Sequence, residues 1–256
     1  RIYYDVSFVD HNGMIFKVEE VAHGEAATAP ADPEREGYTF IGWDKDFDNI
    51  TEDTEVTAVY EINKYTVEFV DHDGTELGSD IVEHGGSATA PADPEREGYT
   101  FTGWDKSFDN VTGNITVTAV YEINKYTVEF VDHDNHIFKY ETVEYGGSAT
   151  APADPEREGY TFVGWDKDFD VITEDTTVKA VYEINKYTVE FVSWNGKVIK
   201  AETVEYGGSA TAPIALEREG YTFTGWDKAF DYITADTTVT AVYEINKYTV
   251  EFVDWD

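Results

Sequence analysis

The chain alternates between apolar and polar residues over short stretches. From Tyr65, the side chains of Tyr65, Val67 and Phe69 fall on one face of an extended segment, and Thr66 and Glu68 fall on the other. A period of two marks a strand with one buried face. Asp73-Gly74 follows, a pair that favours a tight hairpin. A second strand runs from there to Gly85-Gly86, and it is spelled more clearly further along as Phe138 to Tyr145. A third strand is expected from Tyr99 to Trp104. A fourth is expected from about Thr116 to Glu122, with Val117, Ala119 and Tyr121 on a common face.

Between the second and third strands lies Ala-Pro-Ala-Asp-Pro-Glu-Arg-Glu-Gly, residues 90–98. Asp93 suits a helix N-cap, Pro94 the first helical position and Gly98 the residue beyond the last. The segment therefore predicts a single helical turn. Further on, Ala215 and Leu216 replace this Asp and Pro, so that copy of the turn should be the least regular.

The pattern repeats. Trp43, Trp104, Trp165 and Trp226 recur at intervals of 61 residues, and Glu-Ile-Asn-Lys begins at Glu61, Glu122, Glu183 and Glu244 with the same spacing. Copies are placed at 4–64, 65–125, 126–186 and 187–247, and residues 248–256 begin a fifth that is cut short. Such a period indicates a linear array of small units. Glu122-Ile123-Asn124-Lys125 joins one copy directly to the next without a flexible Gly/Ser run, which predicts an elongated, fairly stiff rod. Each unit buries only about 60% of its unfolded surface at this size, so neighbouring repeats are expected to stabilise one another.

Gly98-Tyr99-Thr100-Phe101-Thr102-Gly103-Trp104, preceded by Val82-Glu83-His84-Gly85 and followed by Val117-Thr118-Ala119-Val120-Tyr121, resembles the Listeria–Bacteroides repeat, also called the internalin-type B repeat. The resemblance covers all four copies. It implies a mainly β, β-grasp-like module found in tandem on bacterial surface proteins, with a spacer or adhesion-assisting role and no known chemistry. In such a module the first and last strands would lie side by side and parallel. The chain departs from many members in its short segment after the Trp, where Trp104-Asp105-Lys106 runs quickly into Phe108.

Composition narrows the functional classes. The chain has 53 acidic and 18 basic residues, a net charge of −35, which repels nucleic acid and anionic membranes. There is no cysteine, so disulfides, thiolate metal sites and cysteine nucleophiles are excluded. No stretch reaches the ~20 apolar residues of a membrane span, and no signal-peptide pattern opens the sequence. The start at Arg1-Ile2-Tyr3-Tyr4 falls in mid-pattern, as expected of a piece of a longer protein whose export signal and anchor lie elsewhere. The expected location is a bacterial cell surface, and the chain is expected to be a monomer.

Asp71-His72-Asp73-Gly74 resembles the start of a calcium loop, which makes Asp71 and Asp73 the metal candidates. The other copies read Asp10-His11-Asn12-Gly13, Asp132-His133-Asp134-Asn135 and Ser193-Trp194-Asn195-Gly196. A hairpin turn that needs Asp, Asn or Gly explains all four, and it is preferred to a metal site. His72 and His133 align with Trp194 and with Trp255, and His23 and His84 align with Tyr145 and Tyr206. A metal ligand cannot be exchanged for an aromatic ring, whereas a flat packing group can. His72, His133 and Trp194 are therefore candidates for an aromatic contact surface. The Trp that follows each Gly is expected in the core or between modules. No phosphate loop, nucleophile elbow or zinc spacing occurs, and no cofactor or enzymatic activity is expected. The partners expected are neighbouring repeats and, in a second reading, a host protein or glycan bound directly. Copy four carries net −4 (9 acidic, 5 basic) against −9 for copy two (12 acidic, 3 basic). A spacer tolerates such drift better than a repeated binder.

Overall fold

The computed structural model describes residues 1–253. Sixteen strands occur among them, in four sheets of four strands each, and no residue is helical. In the first sheet β1 (Tyr3–Val9), β2 (Ile15–Ala22), β3 (Tyr38–Trp43) and β4 (Thr54–Ile62) stand in the order β2-β1-β4-β3. The next has the same order from β5 (Lys64–Val70), β6 (Glu76–Glu83), β7 (Tyr99–Trp104) and β8 (Ile115–Ile123). The third sheet holds β9 (Lys125–Val131), β10 (Ile137–Glu144), β11 (Tyr160–Trp165) and β12 (Thr176–Ile184). The fourth holds β13 (Lys186–Val192), β14 (Val198–Glu205), β15 (Tyr221–Trp226) and β16 (Thr237–Ile245).

The first and last strands of each repeat are parallel neighbours at the sheet centre, with Val67 opposite Ile115 and Val70 opposite Thr118. The outer pairs are antiparallel. The last strand is long enough to serve two partners, since β8 meets β5 through Ile115–Thr118 and β7 through Ala119–Ile123. Val67, Phe69, Val82 and Val117 share the inner face and are buried.

Two loops cover that face. Gly85 N–H donates to Val111 O (2.8 Å), Val111 N–H to Gly86 O (2.9 Å) and Ala88 N–H to Phe108 O (3.0 Å). This lacing lays Ala88, Phe108 and Val111 over Phe69. The other three repeats use the same bonds, for example Ala149 N–H to Phe169 O and Ala210 N–H to Phe230 O.

The helical turn expected over residues 90–98 is absent. Ala90 and Asp93 each precede a proline, which disfavours helical backbone at both positions, and Pro94 brings no N–H to a helix. Only Glu95–Gly98 remains, and it forms a tight turn in which Tyr99 N–H donates to Arg96 O (3.0 Å) with Gly98 at φ +75°. Gly98 thus acts as a turn residue rather than a helix terminator. The fourth repeat closes the same turn from Tyr221 to Arg218 (3.0 Å) without Asp or Pro, because no helix cap is involved. The β-grasp expectation is accordingly reduced to its sheet order, with laced loops on the face that a helix would cover.

Gly103 explains how Trp104 reaches the core. A bulge between Phe101 and Gly103 adds one residue to β7, and Gly103 takes φ +137°, a backbone that favours glycine. The bulge shifts the alternation so that Phe101 and Trp104 share a face, and Trp104 meets Phe69 edge-on at 5.0 Å. Trp43, Trp165 and Trp226 repeat this contact on Phe8, Phe130 and Phe191.

The chain divides into two compact units, one through Asn124 and one from Lys125. In the first, Asn63 links two repeats: its N–H donates to Gly37 O (2.9 Å), its carbonyl accepts from His84 N–H (2.8 Å), and Thr39 Oγ1 bonds its side chain (2.6 Å). The His84 ring lies flat against Gly37, where a Cβ would fall 2.2 Å from His84 Cδ2. In the second unit Asn185 makes the same links to Gly159 and Tyr206. The Tyr206 ring covers Gly159, and its hydroxyl donates to Glu158 (2.5 Å). His84 and Tyr206 are therefore joint residues, which is the packing role expected of that aligned position. Residues 246–253 form no strand, and Val250 and Phe252, core positions in the preceding repeats, are exposed.

A latch ties the crossover to edge strand β10: Glu141 accepts from Thr150 N–H (2.9 Å), and Lys139 bonds both Glu141 and Thr150 O. The first and fourth repeats match it with Lys17, Glu19 and Thr28 and with Lys200, Glu202 and Thr211. In the second, Asp80 holds Thr89 N–H (2.8 Å), but Gly78 stands where the lysine would be. Gly78→Lys with Asp80→Glu should complete the latch and stabilise that repeat by about 1 kcal/mol, from one exposed ion pair and the removal of a strand glycine. Urea unfolding curves measure the change, and an unchanged or lowered midpoint would contradict the assignment.

Candidate functional site

The hairpin between β5 and β6 is a five-residue loop. Gly74 N–H donates to Asp71 O (2.9 Å), Asp71 N–H donates to Thr75 O (2.7 Å), and Gly74 sits at φ +86°. In the third repeat Asn135 takes the corresponding backbone at φ +67°, as Asn can at modest cost. The Asp, Asn and Gly of this segment thus serve the turn.

Their carboxylates serve it too. Asp71 Oδ1 accepts from His72 N–H (2.7 Å) and from the Tyr121 hydroxyl on β8 (2.7 Å), and His72 Nδ1 lies 3.1 Å away. Asp73 Oδ1 accepts from Thr75 N–H (2.9 Å). The ligand atoms of Asp71, His72 and Asp73 lie within 4.8 Å of one another, as do those of Asp132, His133 and Asp134. Proximity is therefore met in two repeats, with an oxygen of each carboxylate in repeat two already engaged by backbone or phenol.

His72 meets Tyr121 edge-on at 5.8 Å, and His133 meets Tyr182 at 6.2 Å. Arg96 stacks over Tyr99 at 3.7 Å and faces Tyr121 at 5.5 Å. The hairpin, the Arg-Glu-Gly-Tyr turn and the last strand thus build one cluster at the end of each sheet. Arg35, Arg157 and Arg218 stack on Tyr38, Tyr160 and Tyr221 in the same way. Sequence reading picked out the hairpin residues and missed the arginine. Its signal was the fourfold return of Arg-Glu-Gly-Tyr.

Trp194 changes the cluster in repeat four. It lies 4.4 Å from the Arg218 guanidinium, which is also 3.5 Å from Tyr221. Ser193, in place of the aspartate, is buried with its hydroxyl unpaired, and the Tyr243 hydroxyl donates instead to Leu216 O. Trp255, the other aligned residue, lies outside the described residues.

Burial, reinforced by the bond to Asp71, pushes the Tyr121 phenol up to about 12. The Tyr121 hydroxyl in turn holds the Asp71 carboxyl below its ordinary value. In repeat one, burial works to raise Asp10, but bonds from His11 and Tyr60 outweigh it and leave Asp10 lowered. The signs follow by linkage. Asp71 contributes stability above its unfolded pKa near ~3.9 and loses it as pH falls through the lowered value. Tyr121 contributes fully below ~10 and loses it as pH rises toward about 12. Tyr121→Phe should cost about 1–2 kcal/mol at neutral pH and return the Asp71 titration toward its ordinary value. Carboxyl NMR titration checks this, and an unmoved Asp71 would contradict it.

The Listeria-Bacteroides repeat domain family matches residues 4–63, 65–123, 126–185 and 187–250. The chain is 32% identical over 253 residues to a protein described as a Gly-rich membrane protein in Evansella cellulosilytica, covering 87% of this chain and 29% of that protein. It is also 32% identical over 141 residues to Internalin H of Listeria monocytogenes, covering 50% of this chain and 25% of the relative. The chain thus spans less than a third of either relative. Among solved structures, domains 3–4 of the Streptococcal High Identity Repeats in Tandem from a cell surface protein match at 20% identity and a TM-score of 0.25, covering 48% of this chain and 98% of theirs. With four tandem matches running from residue 4 to 250, the chain belongs to the Listeria-Bacteroides repeat family.

Proposed function

We propose that the four repeats form a non-enzymatic spacer in a bacterial cell-surface protein, projecting another domain away from the surface. The observation that carries this reading is the direct parallel pairing of each repeat's first and last strands. The chain enters a repeat at one end of this pair and leaves at the other. Tension between the ends therefore loads the β1–β4 ladder in shear, and its hydrogen bonds must fail together. An antiparallel terminal pair would unzip one bond at a time. A tether carrying load between a surface and a distal domain needs the first arrangement.

Other features agree. The side chains that could carry chemistry are absorbed into turns and stacks, as Asp71 and Asp73 are. Among the described residues no helix is long and apolar enough to cross a membrane. The relatives named for membrane and internalin proteins support a place at the cell surface.

Single-molecule stretching of the chain tests the proposal. Four discrete events are expected, each releasing roughly 200 Å of contour for about 60 residues at up to ~3.6 Å per residue. Smooth extension at low force without steps would sink the load-bearing reading.

A further inference from the structure

Each sheet has two faces, and the loops cover only one of them. In repeat one Val6 and Phe8 point into the core, so Asp5, Ser7 and Val9 point the other way. The register sets Glu20, Val18 and Ile15 of β2 beside them, and Glu55 and Thr57 of β4 on the opposite side of Ser7 and Val9. Phe40 and Trp43 share the inner face, so the bulge between them turns Ile41 outward near Val59. Ile15 and Ile41 are each 59% exposed, and Val18 is 53% exposed. The joints between repeats do not account for this exposure. Ile41 stays exposed although repeat two follows it, and Ile81, the counterpart of Glu20, is 68% exposed although repeat one precedes it.

Repeat one stands apart from the other copies on this face. Asp5, Glu20 and Glu55 correspond to Thr66, Ile81 and Thr116 in repeat two, and to threonine at all three positions in repeats three and four. Asp5 and Glu20 lie directly opposite each other across the β1–β2 pair, where like charges destabilise a sheet. Among the described residues none of the three carboxylates is in an ion pair. The aliphatic side chains differ as well. Repeat two has Glu76, Ser79 and Thr102 in place of Ile15, Val18 and Ile41, and repeat three has Ile137, Tyr140 and Val163 without the carboxylates. Repeat one alone joins an exposed aliphatic surface to a group of unpaired acids. Scattered exposed apolar residues need no explanation, but a contiguous set rimmed by charge marks an interaction surface.

We infer that the outer sheet face of repeat one is a docking surface for a basic amphipathic helix of a partner protein. Charge complementarity selects the partner. Lysines or arginines brought to Asp5, Glu20 and Glu55 relieve a repulsion that nothing in the chain relieves, while Ile15, Val18, Ile41 and Val59 receive apolar side chains. A second copy of this chain is the wrong occupant, since it would bring a charge of −35 against the same charge. Shape selects a helix. Four strands about 4.8 Å apart span roughly 15 Å, room for one helix about 10 Å across. An added strand would need a free sheet edge instead. The β2 edge carries the Lys17–Glu19 latch to Thr28, and the β3 edge is broken by the bulge at Gly42. The role goes beyond the spacer reading and is separable from it, because outward side chains bind while the hydrogen bonds of the central ladder stay as they are.

The test uses the whole chain and two variants built from residues that other repeats already hold at these positions. One carries Val18→Ser and Ile41→Thr, and the other carries Asp5→Thr, Glu20→Thr and Glu55→Thr. A urea midpoint no lower than that of the parent chain confirms that each variant folds. The probe is a synthetic helical peptide of about five turns with leucine on one face and lysine on the other. A scrambled peptide of the same composition and a leucine/glutamate peptide serve as controls. The probe should bind the chain and shift the methyl NMR signals of Ile15, Val18, Ile41 and Val59. Each variant should bind it about tenfold or more weakly, and the threonine variant should also show a flatter salt dependence. Equal binding by both variants, equal binding of either control peptide, methyl shifts centred elsewhere, or no binding would overturn the proposal. So would self-association of the chain that is lost with Val18→Ser and Ile41→Thr, which would assign the face to a second copy.

Discussion

Each repeat is organised around the parallel pairing of its first and last strands. That pairing brings together residues about 48 positions apart, as with Val67 and Ile115, so its loop-closure cost falls on the whole repeat. Once the pair forms, the other two strands have only edges to occupy. The sheet then has one apolar face to cover, and nothing but the two remaining loops to cover it. Their lacing through Gly85, Gly86, Ala88, Phe108 and Val111 follows from that shortage of material.

The same shortage shapes the joints. A small module leaves some of its surface to be covered by a neighbour. In unit one, Gly37 supplies a turn at φ +76° and, having no side chain, a flat seat for His84. Gly159 does both for Tyr206 in unit two. One missing Cβ thus meets two constraints, which explains how a linker of a single residue, Asn63 or Asn185, can connect repeats. Tyr206 adds a hydroxyl bond to Glu158 that a histidine ring does not reproduce in kind, so the two joints have the same geometry and different chemistry.

Local patterning made the strands legible, and tertiary partners hid the rest. Alternation at Tyr65, Val67 and Phe69 located β5, and the Tyr99 to Trp104 segment was readable to the residue. The turn role of Asp73-Gly74 was visible because the same position varies among Gly and Asn in the other copies. The crossover is not legible in the same way, because Asp93-Pro94 satisfies the preferences of a helix start while each proline keeps its predecessor out of helical backbone. The Tyr121–Asp71 bond and the His84–Gly37 seat join residues far apart in sequence. Periodicity could show that such positions recur, but not what each one touches.

If the parallel ladder is the keystone of the repeat, it should also be the last element to open. Native-state amide hydrogen exchange measures this directly, since the slowest amides report the most cooperative unit. The slowest exchange should come from paired amides at the centre of each sheet, in β5 and β8 around Val67–Val70 and Val117–Ala119, and at the matching places in the other repeats. Maximal protection in the outer halves of the β5–β6 or β7–β8 hairpins, with the central parallel pair exchanging first, would contradict the account.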